Sequence, residues 1–221
     1  MNLKKHLLAL ALIAAAGGAN AAVMTQSQEY AYTAGTATNW GAVPGGAPSP
    51  VELTFSAFDS SLGTLDSVIV TLFGAVTSSA TVNAVSAEPF GADVTGGARI
   101  RVLSGPGAGA QLNISTSSTT NPLAAGTQET IDFGTKLGST LLSVNIADFL
   151  SDVTFGLAAI GGNSCGTSGG NNGCDFSTTA GARITVEYDY TVRPPVTVPE
   201  PASMALVGLG MMGLAAIRRR K

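Results

Sequence analysis

Two cysteines lie nine positions apart in a segment rich in glycine and asparagine. Cys165 and Cys174 are the only cysteines of the 221-residue chain. A stretch of this length can meet the geometry of a disulfide, and closing a loop of about ten residues would stabilise the fold by about 2.5–3 kcal/mol in the chain-entropy model. A metal site would need two further soft ligands, which the sequence lacks. The spacing predicts an intrachain disulfide, with free thiols as the remaining alternative.

The same segment, residues 161–175, also carries oxygen donors of the kind that calcium prefers. They are Asn163, Asn171, Asn172 and Asp175. Their spacing matches neither an EF-hand nor the nine-residue repeat of calcium-binding β-helices. Asparagine also serves turns, so a solvated loop is the favoured interpretation. We therefore predict no metal and no other cofactor, while calcium binding by this loop stays open.

Acid–base chemistry is restricted by the scarcity of histidine. The only one, His6, lies in a segment that we expect to be removed. A mature chain without histidine has no Ser-His-Asp or Cys-His triad and no histidine-ligated zinc. Carboxylates alone could hydrolyse glycosides. However, Asp148 and Asp152 would face each other only on a helix, and Glu187 and Asp189 share one solvated strand face. We predict no catalytic residue and no enzymatic activity.

Trp40 is the only tryptophan, and two roles are open to it. An exposed indole could stack on a sugar ring, which would make Trp40 a glycan contact. Burial against the strand that begins at Val51 is the favoured alternative, because large aromatic side chains usually bury most of their surface.

The elements that would position these residues are β-strands. The clearest is Ala182–Val192, where Ile184, Val186 and Tyr188 alternate with polar residues. The one helix-like candidate between the two ends of the chain, Ala147–Leu150, is too short to form a helix alone. We expect one all-β domain over residues 22–193, a β-sandwich of jelly-roll or immunoglobulin-like type. The predicted strands are Val51–Phe58, Ser67–Phe73, Ser79–Val85, Ala98–Leu103, Gln111–Ser115, Thr130–Phe133, Leu141–Ile146, Val153–Ala158 and Ala182–Val192.

The charge of this central part excludes one class of partner. Residues 22–198 hold five of the chain's 11 basic residues and 13 of its 14 acidic ones, which gives a net charge of −8. Such a domain lacks the basic surface of a nucleic-acid binder. Its length of about 175 residues suffices for one domain with a real core.

The N-terminus has the layout of a secretory signal peptide. Lys4 and Lys5 give a positive start, Leu7–Ala16 is apolar but too short to span a bilayer, and Ala19-Asn20-Ala21 supplies small residues for cleavage. We predict a signal peptide over residues 1–21, with the secretory translocon and signal peptidase as partners. An uncleaved anchor is disfavoured because the apolar stretch is short.

The C-terminal sequence has three parts behind a proline-rich linker at residues 194–198. They are Pro199-Glu200-Pro201, the apolar run Ala202–Ile217 and the basic residues Arg218-Arg219-Arg220-Lys221. The run would extend about 24 Å as a helix, against a hydrocarbon core of roughly 30 Å. The predicted transmembrane helix would therefore only just span, and the four cations would hold its end on the cytoplasmic side. An ordinary membrane anchor is one interpretation.

The order of these parts over residues 198–221 resembles the PEP-CTERM sorting signal. The resemblance implies export by an exopolysaccharide-producing Gram-negative bacterium and processing by exosortase, a membrane enzyme similar to a transpeptidase. It implies an intermediate tethered transiently to the inner membrane, followed by the cell surface or the extracellular matrix. Exopolysaccharide is a further partner that it suggests.

A second resemblance covers most of residues 38–192. It rests on Thr38-Asn39-Trp40, on the segment from Phe58 to Val68 around Leu62-Gly63-Thr64-Leu65, on Phe176, and on the ending Ile184–Tyr190. These residues look like the bacterial choice-of-anchor E domain, which occurs with different surface anchors. That family implies a location and supplies no catalytic or binding residue.

Together these features predict an exported, non-enzymatic protein of the cell surface or the exopolysaccharide matrix. A glycan-binding module of the matrix is the alternative. A glycoside hydrolase that depends on carboxylates is the least favoured.

Overall fold

The computed structural model describes residues 21–41, 49–85, 91–167 and 173–193, and this part of the chain is all-β. Residues 1–20 of the predicted signal peptide and the predicted C-terminal helix lie outside it. Within the described ranges, no helix is long and apolar enough to cross a membrane. One short 3-10 helix, Ile146–Leu150, is present where a helix-like segment was predicted. The strands are β1 (Ala21–Tyr30), β2 (Thr36–Ala37), β3 (Val51–Phe55), β4 (Gly63–Asn83), β5 (Ala92–Ser104), β6 (Gln111–Thr119), β7 (Gln128–Leu142), β8 (Val153–Gly161), β9 (Ser164–Thr167) and β10 (Gly173–Val192).

The strands pair in a nested order. β1 pairs with β10, β3 with β8, β4 with β7 and β5 with β6, all antiparallel. Pairing of β10 with β4 and of β8 with β5 completes two sheets, with the strand orders β1-β10-β4-β7 and β3-β8-β5-β6. The short strands β2 and β9 extend these sheets beside β10 and β5. Eight main strands wound in this way form a jelly-roll sandwich, which agrees with the predicted fold class.

Some predicted strands are parts of longer ones. Ser67–Phe73 and Ser79–Val85 both fall largely in the 21-residue strand β4. Gly74 lies between the two predicted strands, and in the structure it continues β4 and serves close packing. A Cβ atom there would lie 2.6 Å from Cδ1 of Ile100 and 2.7 Å from Cδ1 of Ile114, on the facing sheet. The glycine therefore lets the two sheets approach each other.

Strand predictions near residue 145 and before residue 50 were incomplete. The predicted strand Leu141–Ile146 is wrong beyond Leu142, because β7 ends there and Ile146 begins the 3-10 helix. β1 was not predicted at all, since it is an edge strand that shows only weak alternation of polar and apolar residues. Pairing with β10 is what fixes it in the fold.

The core has two apolar clusters, and a belt of polar side chains, formed by Ser78, Thr178 and Asn163, lies between them. Ser78 lies between Val76 of the larger cluster and Ala80 of the smaller one along β4. Its hydroxyl is 2.9 Å from that of Thr178 on β10. The Thr178 hydroxyl donates to Oδ1 of Asn163 at 3.1 Å, so Ser78 is the donor to Thr178. Both hydroxyl groups of the belt therefore donate hydrogen bonds within it, and the belt links the two sheets.

Candidate functional site

The two ends of the domain meet at one point on the sheet edge. Ala21, the first residue of β1, is paired with Thr191, and Ala22 is paired with Tyr190. The predicted cleavage residue Ala21 is exposed at the start of β1, whereas Ala19 lies outside the described residues. So do the sorting-motif residues Pro199, Glu200 and Pro201 and the membrane-orienting residues Arg218, Arg219, Arg220 and Lys221.

Aromatic rings fill the core near this end. The Phe58 ring lies 5.9 Å from that of Tyr188 and 5.3 Å from that of Tyr190, measured between centroids. The buried Tyr188 hydroxyl donates to the Ser56 carbonyl at 3.1 Å. Burial raises the pKa of Tyr188, and the negative charge of Asp152 raises it further. The three aromatic residues all lie in the segments that resemble the choice-of-anchor E domain, and here their rings pack the core.

The turn before β4 is held by a short local network. The Ser61 amide donates to Oδ1 of Asp59 at 2.9 Å, and the Leu62 amide donates to the Asp59 carbonyl at 3.0 Å. Hydrogen bonds from the side chain and the backbone of Ser61 lower the pKa of the Asp59 carboxyl. This arrangement directs the chain into β4 at Gly63.

Trp40 is half-buried and joins the two sheets. Its indole N–H donates to the Ala180 carbonyl of β10 at 3.2 Å, and its own carbonyl accepts from the Ala159 amide of β8 at 3.0 Å. The ring packs against Tyr30 with a centroid distance of 5.0 Å. Trp40 thus contacts β1, β8 and β10, and its side chain packs against the larger apolar cluster of the core. Its burial against the strand from Val51 stays a prediction.

The predicted disulfide is present. Cys165 and Cys174 are bonded, with their Cα atoms 6.3 Å apart. Cys165 lies on β9 and Cys174 on β10, so both fall in strands where a loop was predicted over residues 161–175. Because β9 belongs to one sheet and β10 to the other, the bond links the two sheets. Both sulfurs pack against the smaller apolar cluster.

Two of the four oxygen donors considered for calcium are used within the fold. Asn163 Oδ1 accepts from Thr178 and from the Gly97 amide at 3.2 Å. Asp175 Oδ2 accepts from Nδ2 of Asn83 at 3.0 Å. Asn171 and Asn172 lie outside the described residues. These contacts explain Asn163 and Asp175 as parts of the fold.

The four carboxylates weighed for catalysis lie on two separate surfaces. Glu187 and Asp189 are on the outer face of β10, as the alternation predicted. Asp148 and Asp152 line one open groove beside the 3-10 helix. The Asp152 carboxylate accepts from the Ala57 amide at 2.9 Å and so ties β8 to the turn after β3. In the described ranges, no three residues among His, Cys, Asp and Glu cluster closely enough to hold a metal ion.

A polar groove on the outer face of the β3-β8-β5-β6 sheet was not predicted from the sequence. It has a volume of about 350 Å³. Arg99 on β5 lies between Asn113 on β6 and Ile160 on β8. The Arg99 Nε donates to Asn113 Oδ1 at 3.0 Å. The one sequence signal for this groove is that Arg99 and Arg101 are two apart, which places both on the same strand face. The residues lining the groove are Ala98, Arg99, Asn113, Ile114, Ser115, Ile160, Gly161 and Gly162.

Comparison with solved structures finds slight similarity to structures from infectious bursal disease virus. A structure of the Gx strain is 15% identical, with a TM-score of 0.22, and the match covers 80% of this chain and 38% of that one. A VP2 subviral particle is 12% identical, with a TM-score of 0.22, and the match covers 79% and 38%. The chain therefore spans well under half the length of these proteins.

Comparison with curated proteins finds no match. A family model does match the C-terminal segment. On that evidence, residues 197–221 of this chain carry a PEP-CTERM protein-sorting motif.

Proposed function

We propose that this protein is an exported, non-enzymatic component of the cell surface or of the exopolysaccharide matrix, released or re-anchored after exosortase processes its C-terminal segment. The observation that carries the proposal is the PEP-CTERM motif at residues 197–221. Such a motif marks proteins that are exported to the cell surface, and it implies exosortase as the processing enzyme. The host would be a Gram-negative bacterium, and the domain would be of the choice-of-anchor E type.

Each part of the C-terminal segment has a distinct physical task in this proposal. The apolar run 202–217 would hold the chain in the inner membrane, and Arg218–Lys221 would fix its orientation through their attraction to the cytoplasmic side. Pro199 and Pro201 favour an extended backbone, which suits presentation to a processing enzyme just outside the membrane. Loss of any one part should therefore stop processing.

The geometry of the domain supports this sequence of events. Since Ala21 and Thr191 are paired, the domain joins its N-terminal and C-terminal extensions at the same point. The jelly roll could therefore close completely while either extension is still held in the membrane. The Cys165–Cys174 bond also suits a compartment outside the reducing cytoplasm.

The proposal is tested by expressing the full chain in a host with exosortase and in a matched host from which the enzyme has been deleted. Intact-mass measurement of released protein should show loss of the segment after the Pro199–Pro201 region only in the first host. Replacing Pro199, Glu200 and Pro201 by alanine should leave the protein in the inner membrane. Replacing Pro194 and Pro195 by alanine, in the linker just before the motif, is the control and should leave processing intact.

One result would overturn this assignment. If Arg218–Lys221 remain on protein recovered outside the inner membrane, the segment is not removed by a sorting reaction. The C-terminal run would then act as an ordinary anchor.

A further inference from the structure

We propose that the groove around Arg99 binds a carboxylated sugar unit of an acidic polysaccharide. This inference rests on the proposed function, because the exopolysaccharide matrix would supply the ligand, and it adds a binding site to that function. It also supplies the glycan-binding alternative with a specific site, and it places that site at Arg99 instead of at Trp40.

The first step is the charge around the groove. Arg99 is exposed and points outward, between the buried inward-facing residues Ala98 and Ile100. Arg101 follows on the same face, between Gln111 of β6 and Ala158 of β8. Among the described residues that line the groove there is one cation and no carboxylate. In a domain of net charge −8, this face is therefore locally suited to an anion.

The second step is the geometry of the guanidinium. Its Nε bond to Asn113 is its one hydrogen bond within the described part of the chain and uses one of five N–H donors. This bond restricts the orientation of the planar group and leaves its two terminal nitrogens for a ligand. An arginine fork matches a carboxylate with two parallel hydrogen bonds, and preorganisation lowers the entropy lost on binding.

The third step is the shape and remaining chemistry of the walls. Ile160 gives an apolar wall that suits the C–H face of a sugar ring, while Ser115 and the amide of Asn113 can hydrogen-bond to hydroxyls. Gly162 adds no side chain, and a Cβ atom there would meet nothing within 4 Å. A volume of about 350 Å³ accommodates a sugar residue with its carboxylate. The open ends of a groove on a sheet face also let a polymer pass through.

The test measures binding of oligogalacturonate to the exported protein by titration calorimetry, with the carboxyl-reduced neutral oligomer and inorganic phosphate as comparison ligands. Binding of oligogalacturonate alone is the expected result. Arg99→Gln should weaken it by at least about tenfold, the scale for losing a charge-assisted hydrogen-bond pair. Arg99→Lys keeps the charge but loses the fork, so its affinity should fall between that of the wild type and that of Arg99→Gln. Lys136→Gln is the matched control, because it removes one exposed cation from the other sheet and should change affinity less than twofold.

Several outcomes would overturn the site. They are equal binding of the neutral oligomer, equal loss in Arg99→Gln and Lys136→Gln, or no binding by the wild-type protein at millimolar oligomer. Tight phosphate binding that competes with the oligomer would reassign the groove to a general anion site. Each variant's unfolding midpoint identifies any loss caused by misfolding. Because tail processing is read separately by intact mass, failure of the groove leaves the sorting assignment standing, and failure of sorting leaves the binding result interpretable.

Discussion

Cys165 and Cys174 join the two sheets of the sandwich. Cys165 on β9 is paired through Val94 to β5, while Cys174 lies at the start of β10 in the opposite sheet. The bond therefore closes the end of the domain that carries the smaller apolar cluster. It restrains two strands that lie in different sheets and share no backbone pairing.

Replacing both cysteines by serine should lower the free energy of unfolding by about 2.5–3 kcal/mol, the chain-entropy value for a loop of this length. Urea unfolding of the exported protein, followed by Trp40 fluorescence, measures the loss. A reductant should destabilise the wild type by a similar amount and leave the double variant unchanged. Two alkylatable thiols in protein purified from its native compartment would contradict the assignment.

Gly96→Ala should destabilise the domain by about 1–3 kcal/mol, the usual cost of overpacking a filled core. A Cβ atom at Gly96 would lie 2.8 Å from Cδ2 of Phe133 and would also collide with the Ser78 hydroxyl. Gly173→Ala is the matched control, because nothing lies within 4 Å of a Cβ atom there. Equal unfolding midpoints for the two variants would show that the sheets are not packed closely at Gly96.

Trp40→Phe should lower the free energy of unfolding by about 1 kcal/mol, because the Ala180 carbonyl loses its donor while most of the ring packing stays. Its affinity for oligogalacturonate should remain that of the wild type. If Trp40→Phe instead kept full stability and lost glycan binding, the sugar contact would lie at Trp40. Chemical denaturation and calorimetry on the same sample separate these results.

Tyr188→Phe should reduce the loss of stability at alkaline pH. Burial raises the pKa of Tyr188 in the folded state, so the unfolded chain releases the proton first, from about pH 10 upward. Stability contributed by the protonated folded form is complete below that pH and declines as pH rises through the folded-state pKa. At pH 7 the variant should cost about 1 kcal/mol, because the Ser56 carbonyl loses its donor.

Urea unfolding at pH 7 and at pH 10.5 checks this. The stability difference between wild type and Tyr188→Phe should narrow at the higher pH. A difference that stays constant between the two pH values would show that Tyr188 titrates alike in both states.

The exported protein should begin at Ala22. Cleavage after Ala21 removes one residue of β1 and keeps the pairing of Ala22 with Tyr190 and of Met24 with Tyr188. N-terminal sequencing of the released protein checks the site. Ala19→Glu, which removes the small residue, should slow cleavage. Recovery of the envelope protein with an intact Met1 would contradict the prediction.

Local patterns in the sequence determined the fold class, the core face of β10 and the disulfide. The alternation at Ile184, Val186 and Tyr188 reports burial directly, because successive strand residues point to opposite faces. The cysteine pair needed only chain length and compartment. The sorting segment was also readable, since its three parts act through composition and order.

Tertiary structure decided what depends on contacts between distant residues. The continuity of β4 across Gly74 could not be predicted from local pattern. The need for a glycine there comes from Ile100 and Ile114 on the facing sheet. β1 shows only weak alternation of polar and apolar residues, and its place as a strand comes from pairing with β10. The Arg99 groove likewise exists only once β6 and β8 stand on either side of β5, which brings residues far apart in the chain into one surface.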